Sequence, residues 1–243
     1  SGTWVVGFPR GQGWAPDWKV IRSLFKFGLP SGIQGIAGNI GGFLMYGFMG
    51  SVRNGAAAQA AFAVCYSQLF SLITWGSNGL MGATAAVVGQ NLGAKHPDRA
   101  FAAVRTGATF GLTGSTALGL LFFFFPEQLL AIFGIREPEA VQVGVELLRV
   151  LAFSGLFITT ALTYTGGLQG SGDTKSPLYI SLISQVAIPL GICFVIKELW
   201  VLEPLHIWLA VLAGHMARAI LSVARFLQGK WRSIAVDIES TAG

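Results

Sequence analysis

The sequence predicts an all-α, polytopic membrane protein with six transmembrane helices and both ends in the cytoplasm. Three observations predict it. The 243 residues are 53% hydrophobic and only 11% charged, with a mean hydropathy of +0.62, whereas a soluble domain carries about 25% charged residues. Six apolar stretches reach the roughly 20 residues that a helix needs to cross a bilayer. The basic residues fall in the turns and ends, and they divide unequally. One side collects Arg10, Lys19, Arg22, Lys26, Lys95, Arg99, Arg105, Lys175, Arg225, Lys230 and Arg232; the other has Arg53, Arg136 and Lys197, with Arg149 just inside a span. The positive-inside rule makes the richer side cytoplasmic, in the inner (plasma) membrane.

The same composition narrows the function classes. A net charge of +5 would suggest nucleic acid in a soluble protein. Here orientation in the membrane accounts for it, and no basic groove is interleaved with aromatics, so no nucleic-acid partner is expected. The 33 glycines suit close helix packing in lipid. Cys65 and Cys193 fall inside apolar stretches and read as small hydrophobes. The histidines are too scattered for a zinc motif, and no paired carboxylates, HExxH or GxSxG sequence is present. No catalytic residue, metal or cofactor is therefore expected, and the chain does not read as an enzyme. It opens on Ser1 with no signal peptide ahead of the first span, as a processed product or a piece of a longer chain would.

The domain reading is a cytoplasmic linker with an interfacial helix (1–27), a transmembrane bundle (28–228) and a cytoplasmic tail (229–243). Residues 1–16 are polar and glycine-rich. Asp17 can cap a short helix over 18–27, whose apolar Trp18, Ile21 and Phe25 alternate with basic Lys19, Arg22 and Lys26 as at a membrane surface. Span one covers 28–50, with Pro30 in its first turn and Asn39, Gly42 and Tyr46 on one face. Asn39 is there to bond a neighbouring helix or to line a cavity. Span two, 57–88, carries Gln68, Ser71, Trp75 and Asn78 at helical spacing, a polar stripe that must face other helices or a water-filled path.

A polar corner follows, in which Gly89 and Gly93 suit a helix end, Pro97 the first position of the next helix and Asp98 its first turn. Span three, 104–125, ends on Phe122, Phe123, Phe124 and Phe125, which read as lipid-facing or interfacial, before Pro126. Span four, 143–168, sets Phe153, Phe157, Thr160 and Tyr164 on one face, for packing or for substrate contact. In the corner after it Ser176 can cap the next helix with Pro177 at its first position, and Asp173 beside Lys175 reads as a turn bond. Span five, 177–196, contains Pro189, which cannot bond the Gln185 carbonyl, so a kink is expected. Span six, 204–226, includes His215 and Arg218. Arg218 lies near the helix end, where it can snorkel to lipid phosphates or make a structural pair.

Four stretches stand out together: Phe27-Gly-Leu-Pro30, Val88-Gly-Gln-Asn-Leu-Gly-Ala94 with Arg99-Ala100, Leu168-Gln-Gly-Ser-Gly-Asp-Thr174 with Pro177, and Gln228-Gly-Lys-Trp231. In this order and spacing they resemble the carboxy-terminal half of a multidrug and toxic compound extrusion (MATE) transporter. The resemblance implies one six-helix lobe of a secondary antiporter that exports cationic or amphipathic drugs and toxic compounds. The partners it implies are small organic cations, membrane lipids, and a missing amino-terminal lobe or a second copy; H+ or Na+ as coupling ion rests on it alone. Some members carry a glutamate in the first helix of this half and an aspartate in the fourth. This chain reads Gly38-Asn39 and Ile158-Thr159 there, with no carboxylate. The substrate contacts expected at the lobe interface are Asn39, Gln68, Asn78 and Tyr164, while Gly89, Gln90, Gly93, Gly172 and Asp173 shape the cytoplasmic corners. The alternatives are a lipid-linked oligosaccharide flippase-like protein of the same broad superfamily, which would need a basic cavity where only Arg218 stands, and a non-transporting scaffold.

Overall fold

The computed structural model describes residues 18–53 and 55–232. The expected linker over 1–16, the Asp17 cap and the tail from 233 onward lie outside them. In the described residues the chain forms α1 (Trp18–Gly50), α2 (Gly55–Val64), α3 (Phe70–Gly93), α4 (Pro97–Phe124), α5 (Pro126–Ile132), α6 (Pro138–Gly170), α7 (Lys175–Ser181), α8 (Ile188–Leu199) and α9 (Pro204–Leu227). A π-helical turn, Cys65–Leu69, joins α2 to α3, and another, Leu182–Ala187, joins α7 to α8.

Among the described residues five rods have the length and hydropathy to cross a membrane: Gly55–Gly93, Pro97–Phe124, Pro138–Gly170, Lys175–Leu199 and Pro204–Leu227. The protein is all-α and multi-pass. The first of the six expected spans is not among the five. It belongs to α1, which is 33 residues long, but eight of the residues over 28–50 are glycines and Gln34 and Asn39 add polarity. The interfacial helix expected over 18–27 also merges into α1, and Pro30 sits inside it rather than in a first turn. A proline removes one hydrogen bond from the helix. Opening the turns around it would expose more backbone where no water can bond it, so the helix continues.

At the centre, α6 packs against α3, α4 and α9. The approach is close because Gly166 and Gly170 of α6 lie against the Met81 and Ala85 carbonyls of α3, where any side chain would collide with backbone. The main core gathers Phe62, Phe70, Leu147, Leu151 and Trp208. Phe122, expected to face lipid, is fully buried in this core, while Phe123, Phe124 and Phe125 are exposed. Four consecutive residues span a whole helical turn, so one of them had to point inward. Cys65 and Cys193 are buried and free, and the Cys65 thiol contacts the Gly144 carbonyl at 3.6 Å.

A second, smaller core closes one end of the bundle. It joins Val88 and Leu92 of α3, Ala100 and Val104 of α4, Leu168 of α6, Phe226 of α9 and Trp231. Trp231 stacks on Phe226 at 4.7 Å, and its indole N–H donates to the Phe226 carbonyl at 2.7 Å. Three of the stretches that carry the family resemblance meet here.

The turns at this end differ from expectation. Helix α3 runs through Gly89 and stops after Gly93. Its end is closed by Lys95, at φ 62°. The Lys95 amide donates to the Leu92 carbonyl and the His96 amide to that of Asn91, the double bond of a Schellman motif usually built on glycine. Gly89 is needed for packing instead: a methyl group there would stand 3.3 Å from the Gly170 carbonyl oxygen. Pro97 and Asp98 open α4 as expected. At the next corner Asp173, not Ser176, caps the following helix. Its Oδ1 accepts the Ser176 amide at 3.1 Å and its Oδ2 the Ser176 hydroxyl at 2.8 Å. Arg225 of α9 completes the site, its Nη2 donating to Asp173 Oδ2 at 2.8 Å.

Candidate functional site

Pro189 has no N–H for the Gln185 carbonyl, and the π-helical turn Leu182–Ala187 lies just before it. The neighbouring helices are thinned where they pass this irregular backbone. A methyl group at Gly41 of α1 would stand 2.8 Å from the Gln185 carbonyl oxygen, and Gly214 of α9 lies against the Ser184 carbonyl. Across from it is the other π-helical turn, Cys65–Leu69. Between them opens a cleft in two adjoining parts, of about 380 and about 410 Å³. Gly38, Asn39, Tyr66, Gln185 and His215 border both parts. π-Helical turns inside α-helices often mark functional sites, and here one of them lies on each side of the cleft.

Two of the four expected contact residues meet in this cleft. Asn39 lines both parts and Asn78 the larger one. Neither bonds a neighbouring helix. Each donates its amide hydrogen four residues back, to the Gly35 carbonyl at 3.0 Å and the Thr74 carbonyl at 2.8 Å. The other two stand elsewhere. Gln68 is exposed and lines neither part. Tyr164 packs edge-on against Phe226, 5.4 Å away, beside the smaller core. Gln68 misses the cleft because it lies within the π-helical turn, whose wider winding rotates it out of phase with Asn78. Tyr66 and Ser67 reach the cleft instead.

Sequence reasoning passed over a set of amides on the cleft wall. Gln169 donates to Gln34 Oε1 at 3.3 Å, and Gln34 donates to the Ser181 hydroxyl at 2.8 Å. It also misread Arg218. Snorkelling would leave Arg218 exposed at the lipid edge. The side chain is 5% exposed and borders the larger part of the cleft together with His215. It forms no structural pair either: the ion pairs among the described residues are Arg225–Asp173 and Arg232–Asp98. His215, also 5% exposed, stacks its ring 5.7 Å from Phe70 and 6.4 Å from Tyr66. Among the described residues no aspartate or glutamate lines either part of the cleft.

The bundle and its corner motifs have counterparts among known proteins. The family model described as MatE matches residues 30–195, more than half of the chain. The chain belongs to the MatE family. Among its MatE-type relatives, the probable multidrug resistance protein NorM of Thermotoga maritima is 25% identical over 221 residues, covering 91% of this chain and 47% of that protein. The probable multidrug resistance protein YoeA of Bacillus subtilis is 29% identical over 168 residues, 69% of this chain and 35% of that one. The fold matches that of the eukaryotic MATE transporter AtDTX14 with a TM-score of 0.82 at 19% identity, over 93% of this chain and 50% of the other. The chain thus spans about half the length, or less, of these relatives. As a MatE protein it is a multi-pass protein of the inner membrane.

Proposed function

We propose that the chain is one lobe of a secondary active transporter that extrudes drugs and other amphipathic toxic compounds, organic cations among them, by cation-coupled antiport. The cleft carries this reading. Amides and aromatic faces line an open space inside an otherwise apolar bundle, and polar groups at such a place are retained for what passes there. A scaffold has no use for the cleft, and catalysis would need convergent reactive groups, so the lobe is read as a carrier and not an enzyme. Substrate contact is assigned to Asn39 and Asn78, which line the cleft, and not to Gln68 or Tyr164, which do not. The facing lobe is a further segment of the same polypeptide or a second copy, and lipids border the exposed apolar helices. The coupling ion, H+ or Na+, is carried by groups outside this cleft, which no carboxylate lines among the described residues.

The test is efflux. The intact protein, expressed in bacteria stripped of their own pumps, should lower ethidium accumulation several-fold. A protonophore or a sodium ionophore should abolish the effect according to the coupling ion. Unchanged accumulation across cationic and neutral amphipathic dyes would overturn the reading.

A further inference from the structure

Most of the buried side-chain polar atoms without a hydrogen-bond partner among the described residues belong to one helix, α9. They are Trp208 Nε1, His215 Nδ1, Arg218 Nε and Ser222 Oγ. Steps of seven, three and four residues set them along one face. The indole and guanidinium nitrogens can only donate, and the serine hydroxyl can donate. A buried donor left without an acceptor is costly; Trp208 and Ser222 lie away from the cleft, whereas His215 and Arg218 border it. Where this row reaches the cleft stand Arg218 and His215, with no acidic residue among the described residues that line it.

We propose that the cleft is an anion site that takes the phosphate or carboxylate head group of an amphiphilic compound. The proposal rests on the transporter reading and specifies the substrate at this lobe. Arg218 is permanently charged, and its planar fork matches two oxygens of a phosphate or carboxylate. A buried arginine is tolerated when a counter-charge accompanies it, and among the described residues no carboxylate pairs with it. The Gln185 side chain offers a further donor on the wall of the same part, and the rings of Phe62 and Tyr66 along the adjoining part suit an apolar tail. A cationic head group is repelled beside Arg218, so the organic cations of the transporter reading would be held away from it, in the part of the cleft that Arg218 does not line.

Two probes of equal tail, dodecyl phosphate and dodecyltrimethylammonium, separate the possibilities on the intact protein in phosphatidylcholine nanodiscs. Dodecyl phosphate should bind at least tenfold more tightly. Arg218→Gln should weaken the phosphate probe by about 10–100-fold and leave the ammonium probe unchanged, with Arg218→Lys in between. Competition by inorganic phosphate assigns the site to a free anion and competition by added phosphatidic acid to a lipid head group, and either supports it. Equal or tighter binding of the ammonium probe overturns the proposal, as does an equal loss of both probes in Arg218→Gln. If that variant does not fold, the preference of the unaltered protein decides. Ethidium export without an anion preference sinks this proposal and leaves the transporter reading intact. Anion binding without any efflux does the reverse.

Discussion

At Asp173 one carboxylate, 7% exposed, serves two helices. It caps the turn that starts α7 through Ser176 and holds Arg225 of α9. Asp173→Asn keeps the shape and loses the charge, which leaves Arg225 without its counter-ion. Because Arg225 is partly open to water, at 26% exposed, the loss should stay near 1–3 kcal/mol. Thermal unfolding of the purified protein would show it, and a cycle with Arg225→Met should be clearly less than additive. Additive losses would mean that the two residues act separately. The sequence showed a carboxylate in a turn, because the glycines and Ser176 are local signals. Arg225 is fifty-two positions away, and nothing in its own neighbourhood announces the pairing. Arg218 was misjudged for a related reason. Closeness to a helix end is local, but which face of α9 it occupies depends on packing. The spacing of Trp208, His215, Arg218 and Ser222 was the available signal for an inward face.

Periodicity served well for the elements until a π-helical turn broke it. Helical spacing placed Asn39 and Asn78 on polar faces, and both line the cleft. Counting back from Asn78 at the α-helical period led to Gln68, while the structure presents Tyr66. The Pro189 kink was foreseeable because proline has no N–H; the π-helical turn of Cys65–Leu69 contains no proline or glycine to mark it. Thiol labelling tests the placement. Cysteines at Asn39 and Asn78 should react with a water-soluble maleimide, and one at Phe122 should stay silent. Silence at all three would contradict a wet cleft. Close packing supplies a second check. Gly170→Ala forces a methyl group into the Ala85 backbone and should cost about 2–3 kcal/mol or more. Gly76→Ala has open space around it and should be near neutral in the same unfolding assay.

For the whole molecule, composition and hydropathy were enough to identify a helical membrane bundle, because lipid solvation acts on every exposed residue at once. The glycine-rich first helix escaped the rule, since its packing depends on small residues rather than on apolar bulk. Orientation rests on the uneven charge of the turns and can be checked directly. Membrane-impermeant thiol reagents should label cysteines at Lys95 and Lys175 only from the cytoplasmic face, and cysteines at Arg136 and Lys197 only from outside. The opposite pattern would invert the lobe. The meeting of α3, α6 and α9 beneath Trp231 has an optical consequence as well. An indole 1% exposed and stacked on a phenyl ring emits at short wavelength and is out of reach of iodide. With the other six tryptophans replaced by phenylalanine, Trp231 is the single indole left, and the colour of its emission reports whether that end of the lobe is closed.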